Sequence, residues 1–337
     1  MKRYRLSPRI LHVTLHLLIL SVCAVSVSAQ SKLQKPTGFL GLTYNPLHGE
    51  SAEGKTNFKI ALRPIGTIRA VMLFAKFPDS TREETTKGLY ERLAPEGIAF
   101  MERASYGKAK LTIDPLHRWI RMDHPSTWEN YNQRTFEGHR NYIQEVATKC
   151  ASLVDFEKYD IVYVVSSYSP GCPISPTFGA TFADAPGVNG AVIRHAVTFG
   201  NDARNPNWGW QTLAHETGHI FGLPDLYSFD KPTGRYKDGI RHIGTWDVMS
   251  DQSEGQEYLA WQKRKLEWLA DEDFLVVTQG EAVATVVPIY EKRGLRAIVA
   301  PISTSQAYVV EVRAREVNPE SECGVLVYLV DLSKGAG

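Results

Sequence analysis

The stretch from His215 to Asp225 reads His-Glu-Thr-Gly-His-Ile-Phe-Gly-Leu-Pro-Asp, and it constrains the fold more than any other part of the chain. His215 and His219 are four residues apart, so on a helix their side chains lie one turn apart on the same face. Gly222 and Pro224 end that helix, because glycine tolerates a left-handed backbone and proline cannot continue the hydrogen-bond ladder. The chain therefore turns back and can bring Asp225 towards the two histidines.

These residue types at this spacing predict a zinc site. Two imidazoles and one carboxylate suit Zn2+, which in hydrolases keeps a water whose pKa falls towards about 7. Glu216 can take the proton of that water and pass it to a departing amine. We therefore expect a zinc-dependent hydrolase of peptide bonds, with His215, His219 and Asp225 as ligands and Glu216 as general base and acid.

Two parts of this interpretation have alternatives. Asp225 also suits a plain turn, in which case Glu254 or Glu257 would be the third ligand. The chain as a whole could instead be a catalytically inert, secreted binding protein that keeps a zinc scaffold. Proteins of that kind usually lose the base, whereas Glu216 is intact.

Residues 1–29 have the pattern of a signal peptide. Four basic residues precede an apolar run over residues 10–27, and Val27 and Ala29 are small residues suited to cleavage. A membrane anchor is the alternative, but several polar residues interrupt the run. We expect a secreted, extracellular protein, with the periplasm or the cell surface as other destinations, and no stable membrane insertion after cleavage.

Net charge bears on the class of partner, and cysteine content bears on possible disulfides. Removal of residues 1–29 takes away four basic and no acidic residues, which changes the formal net charge from +1 to −3. This balance gives no reason to expect nucleic acid as a partner, and we expect protein or peptide substrates instead. Cys150, Cys172 and Cys323 remain, and either a Cys150–Cys172 disulfide or three buried thiols is consistent with export. The oligomeric state is left open.

The chain after the signal peptide predicts three segments. Residues 30–65 indicate an irregular leader or short pro-segment, residues 66–270 a catalytic domain of the α+β class, and residues 271–337 a C-terminal all-β module. Strands are predicted at 68–77, 110–113 and 161–165, and helices at 82–104 with an interruption at Pro95, 136–151, 209–221 and 256–269.

Residues 49–56 match the phosphate-binding loop pattern, with Lys55 as its lysine. That loop must join a buried strand to a helix, but Pro46 spoils the strand before it and Pro64 follows soon after. We expect no nucleotide partner.

The motif around the site resembles a known family. His215-Glu216-x-x-His219-x-x-Gly222-x-x-Asp225 is similar to the metzincin peptidases that use aspartate as the third ligand. The continuation through Leu226-Tyr227, followed by Gly244-x-Trp246-Asp247-x-Met249-Ser250, resembles the secreted metallopeptidases of the immune inhibitor A family. Looser similarity covers residues 66–332.

The resemblance implies a metzincin-like mixed twisted sheet with an active-site helix, and Met249 in a Met-turn beneath the histidines. It also implies that Ala191 to Phe199 is an edge strand that pairs with substrate. Asp251 stands where other metzincins often have tyrosine, so the group that stabilises the oxyanion is open among Tyr258, Tyr227 and His242. Family members often carry a pro-region that plugs the site, which leaves Glu50 and Glu53 as candidate plugs. Acidic residues over 225–238 could hold a structural Ca2+ or be solvated.

Overall fold

Most of the apolar runs in the sequence form strands. The computed structural model describes the backbone of residues 25–26 and residues 38–43, 53–206, 208–228, 242–255, 257–314 and 324–334. In chain order, the strands are β1 Val25–Ser26, β2 Gly66–Lys76, β3 Ala109–Arg121, β4 Ile161–Ser166, β5 Thr177–Gly179, β6 Gly187–Val188, β7 Ala191–Val192, β8 His195–Phe199, β9 Phe274–Val276, β10 Thr285–Val286, β11 Ala297–Pro301, β12 Gln306–Arg313 and β13 Gly324–Asp331.

The described residues form four α-helices, and the first two begin at threonine caps. The four helices are α1 Thr86–Ala104, α2 Phe136–Cys150, α3 Gly209–Ile220 and α4 Ala260–Lys265. Thr85 and Thr135 accept hydrogen bonds from the third residues of α1 and α2, which satisfies backbone N–H groups that the helices leave free. No helix within the described residues combines the length and the apolar character needed to cross a bilayer.

Two predicted helices differ from the observed ones. Helix α1 runs through Pro95 without interruption, because buried residues on both sides of the proline, including Leu93 and Phe100, hold it against the sheet. The predicted helix over residues 256–269 is shorter in the structure, where α4 covers only Ala260–Lys265. Its first residue, Ala260, donates its N–H to the Glu311 carboxylate, and Glu267 has a positive φ of 60° that α-helix does not permit.

Two compact units divide the chain. We call Thr56–Tyr258 together with Lys265–Trp268 the α/β unit, and Met1–Lys55, Leu259–Arg264 and Leu269–Gly335 the β unit. Residues 56–65, predicted as leader, therefore belong to the α/β unit, and residues 259–264, predicted as catalytic domain, belong to the β unit.

The sheet of the α/β unit has the order β3-β2-β4-β8-β5, in which β5 alone is antiparallel. Alternate residues of β2 face opposite layers. Ile68 and Met72 pack with α1 and α3, whereas Val71 and Leu73 pack with α2. The connection from β2 to β3 through α1 and the connection from β3 to β4 through α2 run in opposite directions across the sheet, so crossovers of the same handedness place the two helices on opposite faces.

The edge of this sheet is not where the resemblance implied. Strand β8 lies between β4 and β5, so the expectation that Ala191 to Phe199 forms an edge strand is wrong. All five residues of β8 are buried, as is typical of an inner strand that is covered on both faces. Strand β5, with residues Thr177–Gly179, is the edge strand on this side of the sheet, and β3 is the edge strand on the other side.

The β unit contains the four-stranded sheet β13-β12-β11-β9 and a short pairing of β1 with β10. Leu275, Val286, Ile298 and Val312 form a small core. Together the units make a protein of mixed α and β structure with several sheets and few helices, which agrees with the predicted α+β class.

Of the two alternatives for Cys150 and Cys172, the structure has buried thiols and not a disulfide. Both residues are buried free thiols, and burial raises the pKa of each to about 11. Cys172 Sγ lies 3.2 Å from the amide nitrogen of Gln133, which donates to it, whereas Cys150 packs at the end of α2. Cys323 lies outside the described residues.

Candidate metal centre

Helix α3 carries the motif and is held rigidly inside the α/β unit. Ten of its twelve residues are buried. Tyr163 of β4 shares a hydrogen bond of 2.8 Å with the hydroxyl of Thr217, and Tyr258 donates to the carbonyl of Ala214 at 2.8 Å. Because these buried contacts lie on both sides of Glu216, the helix has little freedom to rotate.

The turn after α3 depends on Gly222. Its φ of +92° is in the left-handed region, and a Cβ at this position would lie 2.7 Å from Thr56 Cγ2. The amide of Leu223 donates to the carbonyl of Gly218, which closes the helix end. The chain thus reverses and brings Asp225 back to the histidines.

Three potential ligand atoms converge at this point. Nε2 of His215 lies 3.1 Å from Nε2 of His219, and Oδ1 of Asp225 lies 3.1 Å and 3.2 Å from these two nitrogens. Corners of a tetrahedron around Zn2+, with bonds of about 2.0–2.1 Å, are about 3.3–3.4 Å apart. The triangle is therefore close to the size that a zinc ion requires.

The partners of the Nδ1 atoms determine the chemistry of these rings. His215 Nδ1 lies 2.9 Å from the carbonyl oxygen of Val248, and His219 Nδ1 lies 2.8 Å from that of Leu223. A carbonyl oxygen only accepts hydrogen bonds, so both Nδ1 atoms carry protons. In a neutral ring the Nε2 atom then has a free lone pair, which points towards the Nε2 atom of the other histidine. Carbonyls that fix the tautomer in this way commonly support metal-bound histidines.

The three converging atoms are all acceptors, and a bound cation, either a proton or a metal ion, is what allows them to lie 3.1 to 3.2 Å apart. Oδ1 of Asp225 is buried and accepts no hydrogen bond of normal geometry from any described residue. Burial by itself would raise the pKa of Asp225, but the two histidines hold that pKa well below its usual range. Burial would lower the pKa of His219, whereas Asp225 and Glu216 outweigh it and raise the pKa to about 9. Without a metal the site binds a proton; the donor set also fits Zn2+.

Glu216 lies beside the triangle rather than in it. One carboxylate oxygen is within 4.8 Å of a ring nitrogen of each histidine. The residue is buried, which raises the pKa of its carboxyl group, while the histidines lower it in part. Oε2 accepts a hydrogen bond of 2.8 Å from Thr177 of β5.

Met249 lies under helix α3 and is fully buried. A Cβ at Gly218 would lie 2.7 Å from Met249 Sδ, so only glycine at this position allows the sulfur to approach the helix. The carbonyl of Met249 also accepts from the amide of Leu226, next to Asp225. The residue that the resemblance assigns to the Met-turn therefore touches the helix and the returning segment.

The other candidates from the sequence lie elsewhere or act differently. Glu254 is exposed, and Oε1 of Glu257 accepts from the amide of Tyr258, so Asp225 is the carboxylate that meets the histidines. Tyr258 is fully buried and donates to Ala214, which rules it out as the oxyanion group.

Two oxyanion candidates are left. Tyr227 stacks on His215 with ring centroids 6.2 Å apart, and the charge and hydrogen bonding of Asp225 add to burial in raising its pKa. His242 is exposed, and its backbone N–H donates to Leu226.

The candidate plugs have different outcomes. The carboxylate of Glu53 accepts from the side-chain amide of Gln262 within the β unit, at 3.1 and 3.2 Å. The Glu53 carboxylate thus contacts Gln262 within its own unit. Glu50, and most of the acidic segment considered for calcium, lie outside the described residues.

Sequence reasoning did not identify three contributors to the site. These are Thr177, the carbonyl of Val248 and the small size of Gly218. Thr177 is 39 residues from Glu216, and a carbonyl has no residue signature, so neither has a local signal. Neither protein-family models nor curated protein sequences match this chain.

Proposed function

We propose that this chain is a secreted zinc-dependent endopeptidase of the metzincin type, similar to the immune inhibitor A peptidases. The observation that carries the proposal is the triangle of His215, His219 and Asp225. Its three ligand atoms are 3.1 to 3.2 Å apart, while both Nδ1 atoms are held by carbonyls. Proton binding alone would not require so regular a triangle.

His215, His219 and Asp225 would hold the metal, and Glu216 would act on the proton. A bound Zn2+ would supply a Lewis acid that polarises the scissile carbonyl and makes water nucleophilic near neutral pH. Glu216 would take the proton of the attacking water and donate it to the leaving amine nitrogen. Its raised pKa suits this role, because a base that works near neutral pH must also return the proton.

Strand β5 supports an extended peptide as the substrate. It is the edge of the sheet, and Thr177 in it contacts Glu216, so the edge lies beside the proposed base. An extended peptide can add to such an edge by main-chain hydrogen bonds, which are largely independent of side-chain identity. This favours protein substrates over small molecules.

The test measures metal content and proteolysis of the purified full chain. We expect one zinc per chain, hydrolysis of casein, and loss of hydrolysis after chelation. Glu216→Gln should keep the zinc and lose about 100-fold or more of the rate, since general-base catalysis contributes about 10²–10⁴-fold. Glu96→Gln, which changes an exposed carboxylate on α1, is the matched control and should be as active as wild type.

Three outcomes would contradict the proposal. Absence of zinc in the purified protein removes the metal site, and equal activity of wild type and Glu216→Gln removes the base. If wild type and both variants bind zinc but none of them hydrolyses casein, the inert binding protein is favoured instead.

A further inference from the structure

The hydroxyl of Thr177 makes a contact that the zinc chemistry does not require. Thr177 Oγ1 lies 2.8 Å from Oε2 of Glu216 and 2.8 Å from the main-chain oxygen of the same residue. The two residues belong to different elements, the edge strand β5 and helix α3. One hydroxyl therefore touches both ends of Glu216 from outside the helix.

A glutamate on a helix needs such a contact to keep one orientation. Its side chain has three rotatable bonds, and helix geometry restricts mainly the first of them. A threonine is stiff at χ1, because two heavy atoms are attached to its Cβ. The Thr177 oxygen therefore has a fixed position, and its single proton, which lies between two acceptor oxygens of Glu216, restrains the far end of a side chain that is otherwise mobile.

The backbone of Thr177 is placed on the open side of the sheet. The amide of Thr198 donates to the carbonyl of Pro176, and the amide of Ala180 donates to the carbonyl of Arg194. In an antiparallel pair, residues that bond to the partner strand alternate with residues whose N–H and C=O groups point away from it, and Thr177, next to Pro176, is of the second kind. The main chain of Thr177 therefore faces the edge, while its side chain faces Glu216.

The metal ligands are held by other groups. Val248 and Leu223 carbonyls orient the histidines, and the turn at Gly222 returns Asp225. No described contact joins the Thr177 side chain to His215, His219 or Asp225. A change at Thr177 should therefore alter Glu216 without removing the metal.

We infer that Thr177 is a positioning residue that holds the Glu216 carboxylate for proton transfer, from the strand along which an extended peptide would lie. The inference rests on the proposed function, since it gives Glu216 the role of base. It makes the edge strand a part of the catalytic geometry as well as a docking edge. Removal of the hydroxyl should lower the rate of the chemical step and leave binding intact.

The test compares Thr177→Val, which keeps the shape and removes the hydroxyl, with Thr177→Ser, which restores it. With a fluorogenic peptide cut by wild type, we expect Thr177→Val to lower kcat about 10-fold and change KM less than about twofold. Its zinc content and melting temperature should match wild type. Thr177→Ser should recover kcat to within about threefold, and Thr112→Val, on the opposite edge strand, should change nothing.

A double-mutant cycle separates positioning from a general structural effect. In the Glu216→Gln background, the residual rate should be the same with Thr177 and with valine, because the group being positioned is gone. An equal 10-fold loss in both backgrounds, a wild-type kcat in Thr177→Val, or a loss of zinc in that variant would each overturn the inference.

A second readout does not depend on activity. In metal-free protein labelled with 13C at glutamate carboxyls, the Glu216 resonance is identified by its loss in Glu216→Gln. It should move in Thr177→Val and return towards its original position in Thr177→Ser; an unmoved resonance overturns the inference. A wild type that binds zinc without cutting peptides overturns the proposed function, and the role in catalysis with it. The resonance still reports whether the contact exists.

Discussion

Inner strands β4 and β8 of the α/β unit are buried along their whole length, whereas strand β13 of the β unit alternates between covered and exposed side chains. Helices cover both faces of the first sheet, so both sets of alternate residues are apolar. In the second sheet, Val327 is 57% exposed although it lies in the middle of its strand. Strands of similar composition therefore contribute differently to stability.

The two units also differ in the polar and titratable side chains that they bury. The α/β unit buries neutral histidines and the motif helix, whereas the β unit buries the Glu311 carboxylate against Arg313 and Tyr328. A buried neutral base and a buried ion pair respond differently to pH. The candidate metal centre is in the unit whose sheet is covered on both faces, which gives α3 a rigid support.

The largest expected difference between the units is in acid. Burial lowers the pKa of His139 to about 4, and burial together with Arg194 lowers the pKa of His195 to about 4. Unfolded histidine has a pKa near 6.5, so the unfolded α/β unit binds more protons between pH 6.5 and pH 4. The stability that depends on keeping His139 and His195 neutral is fully present above pH 6.5 and is lost on acidification towards pH 4, by on the order of 3 kcal/mol for each histidine. The described part of the β unit has no histidine.

Hydrogen exchange of metal-free protein, followed in peptides of each unit from pH 7 to pH 4, measures this difference. His139→Gln should make the acid dependence of the α/β unit shallower, whereas exposed His117→Gln should not. Equal loss of protection in both units would contradict the prediction.

The second prediction compares two glycines. A Cβ at Gly138 of α2 would lie 2.4 Å from the main-chain oxygen of Asn132, whereas a Cβ at Gly280 of the β unit meets nothing within 4 Å. Gly138→Ala should destabilise the α/β unit by about 3 kcal/mol despite the better helix propensity of alanine. Gly280→Ala should cost about 1 kcal/mol, because φ is +74° there. Urea unfolding of both variants measures the two losses of stability. A smaller loss for Gly138→Ala than for Gly280→Ala would contradict the prediction.

The smallest expected difference between the units comes from one valine in each sheet. Val164 in β4 is fully buried, and Val327 in β13 is mostly exposed. Val164→Ala should lower the free energy of unfolding by about 2 kcal/mol, and Val327→Ala should change it by less than about 0.5 kcal/mol. Thermal unfolding of both variants is the measurement. A similar loss at Val327 would mean that the exposed face of β13 is covered in solution.

Local patterns in the sequence were sufficient for the elements with strong periodicity. The apolar runs that predict strands at 68–77 and 161–165 are β2 and β4, and the helical spacing at 136–151 is α2. Local patterns were insufficient for elements with weak periodicity. Strand β5, for example, has only three residues, which is too short for a pattern that a single sequence reveals. The predicted edge strand was wrong for the same reason, because pairing between distant strands leaves no mark on either one.

The order of residues from His215 to Asp225 determined that a helix presenting two imidazoles would be followed by a reversal at Gly222. Backbone preferences within a few residues are enough for that, since glycine and proline act locally. Tertiary structure alone decided which carbonyls orient the rings and that Thr177 contacts Glu216. Those partners come from other strands and turns, and they meet only when the sheet of the α/β unit assembles and packs against the helix.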